Sequence, residues 1–82
     1  MKQVEDCLNR FFENKQPLKH KLQARWHKEH NHVVLVFHYQ HLLLAYDTEN
    51  KTILHQWWEV PTDKRNLEAA IKYLKNKFEN GE

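Results

Sequence analysis

The sequence contains no serine, and its only glycine is Gly81, in a chain of 82 residues. The absence of serine excludes serine nucleophiles. The scarcity of glycine excludes Walker loops, dinucleotide-binding glycine loops and other phosphate-binding loops that need a positive φ at glycine. These two scarcities exclude most familiar enzyme classes, so we expect a protein that is not an enzyme. The sequence implies no cofactor and no small-molecule ligand.

Cysteine is nearly absent as well. Cys7 is the single cysteine and cannot form an internal disulfide, and its position beside an apolar helix stripe predicts an inert, packed thiol. The charged N-terminal residues do not resemble a signal peptide. The longest apolar run is interrupted at positions 38–41 and falls short of the roughly 18 residues that a membrane span needs. These observations predict a cytoplasmic protein with no membrane partner.

A strong charge of either sign is also lacking. The formal net charge is +2 and the isoelectric point is near 8.7, which is too weakly basic to indicate nucleic-acid binding by itself. Apolar residues make up 40% of the chain and aromatic residues 12%. That is enough for one small core, so residues 1–82 are predicted to form a single domain.

Two amphipathic helices are predicted, one at each end of the chain. Over residues 2–14 one arc is apolar, and Asn14 and Pro17 are expected to end that helix. The second helix is expected to be capped by Thr62 or Asp63 and to end at Gly81. The apolar stripes of the two helices contain Val4, Cys7, Leu8, Phe11 and Phe12 in the first, and Leu67, Ala70, Ile71, Leu74 and Phe78 in the second.

The middle of the chain has the pattern of β-strands. Residues 18–26 alternate between apolar and mostly basic positions, and three further apolar runs follow at 33–37, 42–46 and 53–58. Residues 47–51 are typical of a hairpin loop. Residues 38–41 favour a tight turn, although one long bent strand is the alternative. The predicted fold is a two-layer α+β domain, with a three- or four-stranded antiparallel sheet and both helices on one face.

The second and third strands are apolar at odd and even positions alike, which indicates a sheet covered on both faces. Two helices cover one face, so the other face needs a partner, a ligand or a second copy of the chain, and a second copy is the favoured interpretation. Val34, Val36 and Trp58 are the candidate interface residues for this homodimer. Trp57 and Trp58 are expected to point to opposite faces, with one ring filling the core. A small, non-enzymatic interaction domain of this kind is the first functional hypothesis.

A basic surface supplies the first alternative. Lys64, Arg65, Lys72 and Lys75 lie on one arc of the second helix, and the first strand adds Lys19, Lys21 and Arg25. Lysine and arginine side chains on one surface can follow a nucleic-acid backbone. The alternative hypothesis is therefore a nucleic-acid-binding domain that uses this basic surface.

Histidine is frequent, with seven residues in the chain. His27, His30 and His32 are close enough in sequence to be candidate metal ligands, but their spacing matches no standard zinc pattern. A solvent-exposed, histidine-rich loop without metal is the favoured interpretation, and the same holds for His38 and His41 at the next turn.

His55 lies in the middle of the last predicted strand, between apolar residues. A neutral imidazole buried in the core is the favoured interpretation. On an open face the same side chain could act as a general base. That possibility gives the second alternative, a small histidine-dependent nuclease.

Overall fold

Two helices pack on one face of a four-stranded antiparallel sheet in the computed structural model, which describes residues 2–16 and 21–80. The α+β fold is confirmed, in its four-stranded form. Pro17, Lys19, Gly81 and the beginning of the alternating segment at residues 18–26 lie outside the described residues. The elements are α1 (Lys2–Phe12), β1 (Leu22–Trp26), β2 (Val33–His38), β3 (His41–Asp47), β4 (Thr52–Gln56), α2 (Pro61–Lys75) and a π-helical turn (Asn76–Asn80), and the strand order is β1-β2-β3-β4.

The end of α1 is set by its hydrogen bonds. Asn14 has a left-handed backbone with φ 58°. The N–H of Asn14 donates to the carbonyl of Phe11, and the N–H of Lys15 donates to the carbonyl of Arg10. This pair of bonds is a Schellman motif, in which asparagine takes the position that glycine usually holds. Asn14 therefore ends the helix, as the sequence predicts.

A two-residue turn at Tyr39 and Gln40 separates β2 from β3. The tight turn is confirmed, and the single long strand is excluded. Tyr39 has φ 57°, a conformation usually supplied by glycine. The turn places His38 and His41 opposite each other at the end of the hairpin.

The start of α2 differs from the prediction. Val60 is the N-cap residue, and Pro61 occupies the first helical position, where its missing N–H costs no helical hydrogen bond. Asp63 lies in the first turn and accepts N–H bonds from Glu59 at 3.3 Å and Val60 at 3.4 Å. Asp63 thus satisfies the backbone ahead of the helix without being its N-cap residue.

The core lies between the helices and one face of the sheet. A β-bulge in β3 directs the adjacent residues Leu43 and Leu44 into it together. The buried apolar cluster consists of Val4, Leu8, Leu22, Val34, Val36, Leu43, Leu44, Tyr46, Leu67, Ala70 and Leu74.

Val34 and Val36 lie in this cluster, so their assignment to the helix-free face was wrong. Both are almost completely buried. Strand alternation places the intervening Leu35 on the opposite face. The sequence could not show which residues of β2 face the helices, because β2 is apolar at its odd and its even positions alike.

Within the described residues, neither helix is both long enough and apolar enough to cross a membrane.

Candidate functional site

The helix-free face of the sheet has an apolar centre and a polar margin. The strand registers align its residues in three rows across the sheet. These rows are Gln23–Phe37–Leu42, Arg25–Leu35–Ala45–His55 and Val33–Asp47–Thr52. An apolar centre with a polar rim is the usual anatomy of a protein interface.

Burial is uneven across this face. Val33 and Ala45 are already buried, whereas Leu35, Phe37 and Leu42 keep part of their surface exposed. The Arg25 guanidinium carbon lies 4.8 Å from the centre of the Phe37 ring. Neither helix packs here, because the apolar sides of both lie in the core cluster. In the part of the chain that the structure describes, no second layer covers this face.

His55 lies on the helix-free face and is exposed, so the prediction of a buried imidazole was wrong. The cause is a second bulge in the β3–β4 pairing. His55 pairs with Ala45 and Ile53 pairs with Tyr46, which leaves Leu54 as the extra residue. The bulge breaks the simple alternation that would have placed Ile53 and His55 on the same face.

Neither ring of the Trp57–Trp58 pair fills the core, which corrects the prediction for both. They follow β4 and are 41% and 45% exposed. Trp57 contacts the His41 ring edge-on, with the ring centres 5.3 Å apart. Trp58 lies beneath the Lys64 ammonium, which is 5.3 Å from its ring centre. Trp58 therefore borders α2 and a groove, and it does not belong to the helix-free rows.

This groove runs between the end of β4 and α2 and has a volume of about 340 Å³. Such a volume lies near the lower end of the range for ligand pockets, about 300–1,000 Å³. The groove is open to solvent and mixes apolar and charged groups. Its lining includes Trp57, Trp58, Lys64, Leu67, Glu68 and Ile71.

The predicted basic residues do not form one surface. Lys64, Arg65, Lys72 and Lys75 are all exposed on α2. Arg25 pairs with Leu35 on the helix-free face, on the other side of the sheet from α2. Lys21 lies at the β2–β3 turn, where its Nζ is 5.5 Å from the centre of the Tyr39 ring. Glu68 adds a negative charge beside Lys64 in the groove.

The His27–His32 segment forms a compact turn. The Nδ1 atom of His27 accepts the N–H groups of Glu29 at 3.1 Å and His30 at 3.2 Å. That nitrogen is therefore occupied by the turn. His32 Nε2 lies 3.6 Å from an Asp47 carboxylate oxygen. Among the described residues, no group of three or more histidine, cysteine, aspartate or glutamate side chains is arranged to hold a metal ion.

A buried Asp63 is joined to two histidines in a polar cluster that the sequence did not predict. Its Oδ1 lies 2.6 Å from His38 Nδ1, and its Oδ2 lies 3.0 Å from His41 Nδ1. Because an ionised carboxylate only accepts hydrogen bonds, both imidazoles donate through Nδ1–H. His38 is buried and His41 is partly exposed. The prediction that both are solvent-exposed turn residues was wrong for His38.

Hydrogen bonding controls the charge of this cluster. Burial would raise the pKa of the Asp63 carboxyl. The bonds from His38 and His41, with those from the Glu59 and Val60 N–H groups, outweigh burial and lower the pKa to about 2. Asp63 is therefore ionised at neutral pH, and it connects the β2–β3 hairpin to the first turn of α2.

The cluster also orients one imidazole toward solvent. Since its Nδ1 is held by Asp63, His41 presents Nε2 outward, 3.8 Å from a Glu59 carboxylate oxygen. An Asp–His pair of this kind can accept a proton from a reacting group. The chain has no serine that could act as a nucleophile beside this pair. Burial raises the pKa of the Cys7 thiol, so Cys7 is not an activated nucleophile either. The geometry is better explained as a structural connection.

Sequence reasoning missed this cluster because its members are 22 and 25 residues apart. One signal was present: a histidine at the end of an apolar strand needs a hydrogen-bond partner when it is buried.

Comparisons with protein-family models, curated proteins and solved structures gave no match.

Proposed function

We propose that this chain is a small, non-enzymatic interaction domain that homodimerises through the helix-free face of its sheet. The observation that carries the proposal is the apolar centre formed by Leu35, Phe37 and Leu42 on the face that no helix covers. Burying the part of these side chains that remains exposed would be favourable, because a partner would remove that apolar surface from water.

A second copy is a suitable occupant because it carries the same apolar centre, so that each copy can cover the other's. A two-fold axis through the apolar centre brings Leu35 of each copy near the same region of the other, as an isologous interface requires. Arg25 lies at one side of the central row and His55 at the other. A dimer of this type would bury roughly 600–800 Å² per chain, the size of an ordinary specific interface.

The test is the solution mass of Leu35→Lys, measured by light scattering after gel filtration. Leu35 is only half-buried and a lysine can extend its charge to the margin, so we expect the variant to fold while the interface is lost. The measured mass should fall to half of the wild-type value. Asn31→Lys adds the same charge in an exposed turn and should leave the mass unchanged. An unchanged mass in folded Leu35→Lys would reject this interface.

A further inference from the structure

The two edges of the sheet differ in their protection. β1 contains Arg25 and follows Lys21, whereas residues 52–58, from β4 through the two tryptophans, include no lysine, arginine, aspartate or glutamate. Edge strands expose unpaired backbone groups, and proteins usually protect them with charged residues or proline. The β4 edge lacks both kinds of protection along this stretch.

Exposed apolar side chains are concentrated beside the same edge. Leu54 is 56% exposed, Trp57 41%, Trp58 45% and Val60 44%. A bulge on an edge strand usually turns the edge away from neighbours. Here the extra residue of the bulge is Leu54, which adds apolar surface and no charge. A lone exposed leucine needs no explanation, but four exposed apolar residues within positions 54–60, in and just after an unprotected edge strand, indicate a binding surface.

We infer that the β4 edge binds the β4 edge of a second copy, so that two sheets join in antiparallel pairing. This surface is separate from the helix-free face. The occupant must be extended, uncharged where it pairs and apolar beside the groove, and β4 itself has all three properties. A two-fold axis near Leu54 would place the β4 edges of the two copies side by side in antiparallel orientation.

The charges in the groove and the apolar area beside β4 are both compatible with pairing between two copies of this edge. The groove beside the edge carries one cation, Lys64, and one anion, Glu68, so two copies meet there without net repulsion. Each of the four exposed apolar side chains contributes on the order of 100 Å². Together they supply about half of the roughly 800 Å² per partner that a specific interface buries. The pairing strands and the groove supply the remainder.

The edge and the proposed dimer face are geometrically compatible. Antiparallel pairing within one sheet has its two-fold axis perpendicular to the sheet, whereas face-to-face stacking has an axis in the sheet plane. Perpendicular two-folds that intersect generate a closed tetramer with D2 symmetry. If both surfaces are used, the expected assembly contains four chains.

The test combines one substitution on each surface. Leu54→Lys places a charge at the centre of the edge, and Leu35→Lys does so on the helix-free face. We expect each single variant to have half of the wild-type mass and the double variant a quarter, measured by sedimentation equilibrium. Asn31→Lys is the charge-matched control. A Leu54→Lys mass equal to that of wild type would overturn the edge inference, whereas an unchanged Leu35→Lys mass would count only against the helix-free face.

A backbone variant gives an independent test. The Trp57 N–H donates inward to the Leu43 carbonyl, so alternation directs the Gln56 N–H outward. Gln56→Pro should therefore remove an edge donor without removing a bond within the sheet. We expect a folded protein with the same halved mass as Leu54→Lys. In wild type, the Gln56 amide should exchange slowly; fast exchange in the assembled protein would contradict edge pairing.

Discussion

The Nδ1 atom of His38 lies 2.6 Å from Oδ1 of Asp63, which connects the end of β2 to the first turn of α2. The other carboxylate oxygen holds His41, at the start of β3. Both strands of one hairpin are thus attached to one helix terminus through a single buried side chain. This arrangement fixes the position of α2 relative to the sheet, and with it the groove beside Trp58.

Asp63→Asn should destabilise the fold, because an amide cannot accept all the hydrogen bonds that the carboxylate receives. Loss of charge-assisted bonds at a buried site predicts a decrease of about 2–3 kcal/mol in the free energy of unfolding. Urea denaturation measures it. Glu59→Gln is the control: Glu59 is exposed and lies 3.8 Å from His41, so a change below about 0.5 kcal/mol is expected. Equal effects from both variants would refute the structural role of Asp63.

Acid should weaken the fold through the same carboxyl. The pKa of Asp63 is lowered from 3.8 to about 2 in the folded state, so the folded protein binds this proton less readily than the unfolded chain. Its contribution to stability is complete above about pH 5 and is lost as the pH falls toward 2. Thermal unfolding of wild type and Asp63→Asn across this range measures the contribution. Parallel pH profiles for the two proteins would show that Asp63 does not supply it.

Tyr46 should make the fold sensitive to alkali. Burial raises the pKa of this phenol to about 12, with help from its hydrogen bond to the Glu79 carboxylate at 2.8 Å. The folded pKa lies above the unfolded value of 10.0, so stability is retained below pH 10 and lost as the pH approaches 12. Denaturation at rising pH should show a smaller loss for Tyr46→Phe than for wild type. Tyr39→Phe, at an exposed position, should behave like wild type.

Neighbouring positions in β2 should respond in opposite ways to the same substitution. Val34→Glu places a carboxylate in the core and should prevent folding, since a buried unpaired charge costs several kcal/mol. Leu35→Glu lies on the helix-free face, where the charge can reach water, and should leave the circular dichroism spectrum folded. The reverse pattern would mean that the two faces of β2 have been assigned incorrectly.

The sequence predicts element types well where polarity alternates. The stripe of α1, the hairpin loop at 47–51 and the turn at 39–40 follow from periodicity and turn chemistry. Prediction from the sequence fails where polarity does not alternate. β2 is apolar at its odd and its even positions alike, so the prediction for Val34 and Val36 chose the wrong face of the sheet. Two bulges shift the registers at Leu43 and Leu54. The Asp63 cluster depends on tertiary proximity, which no local pattern encodes.

The first measurement to make is the mass of the wild-type chain in solution, by sedimentation equilibrium over a wide range of concentration. It tests the claim that further copies of the chain cover the helix-free face. We predict a mass at least twice the 10.1 kDa of one chain, and half of the wild-type mass for Leu35→Lys alone. A mass of 10.1 kDa for wild type at every concentration would contradict the claim.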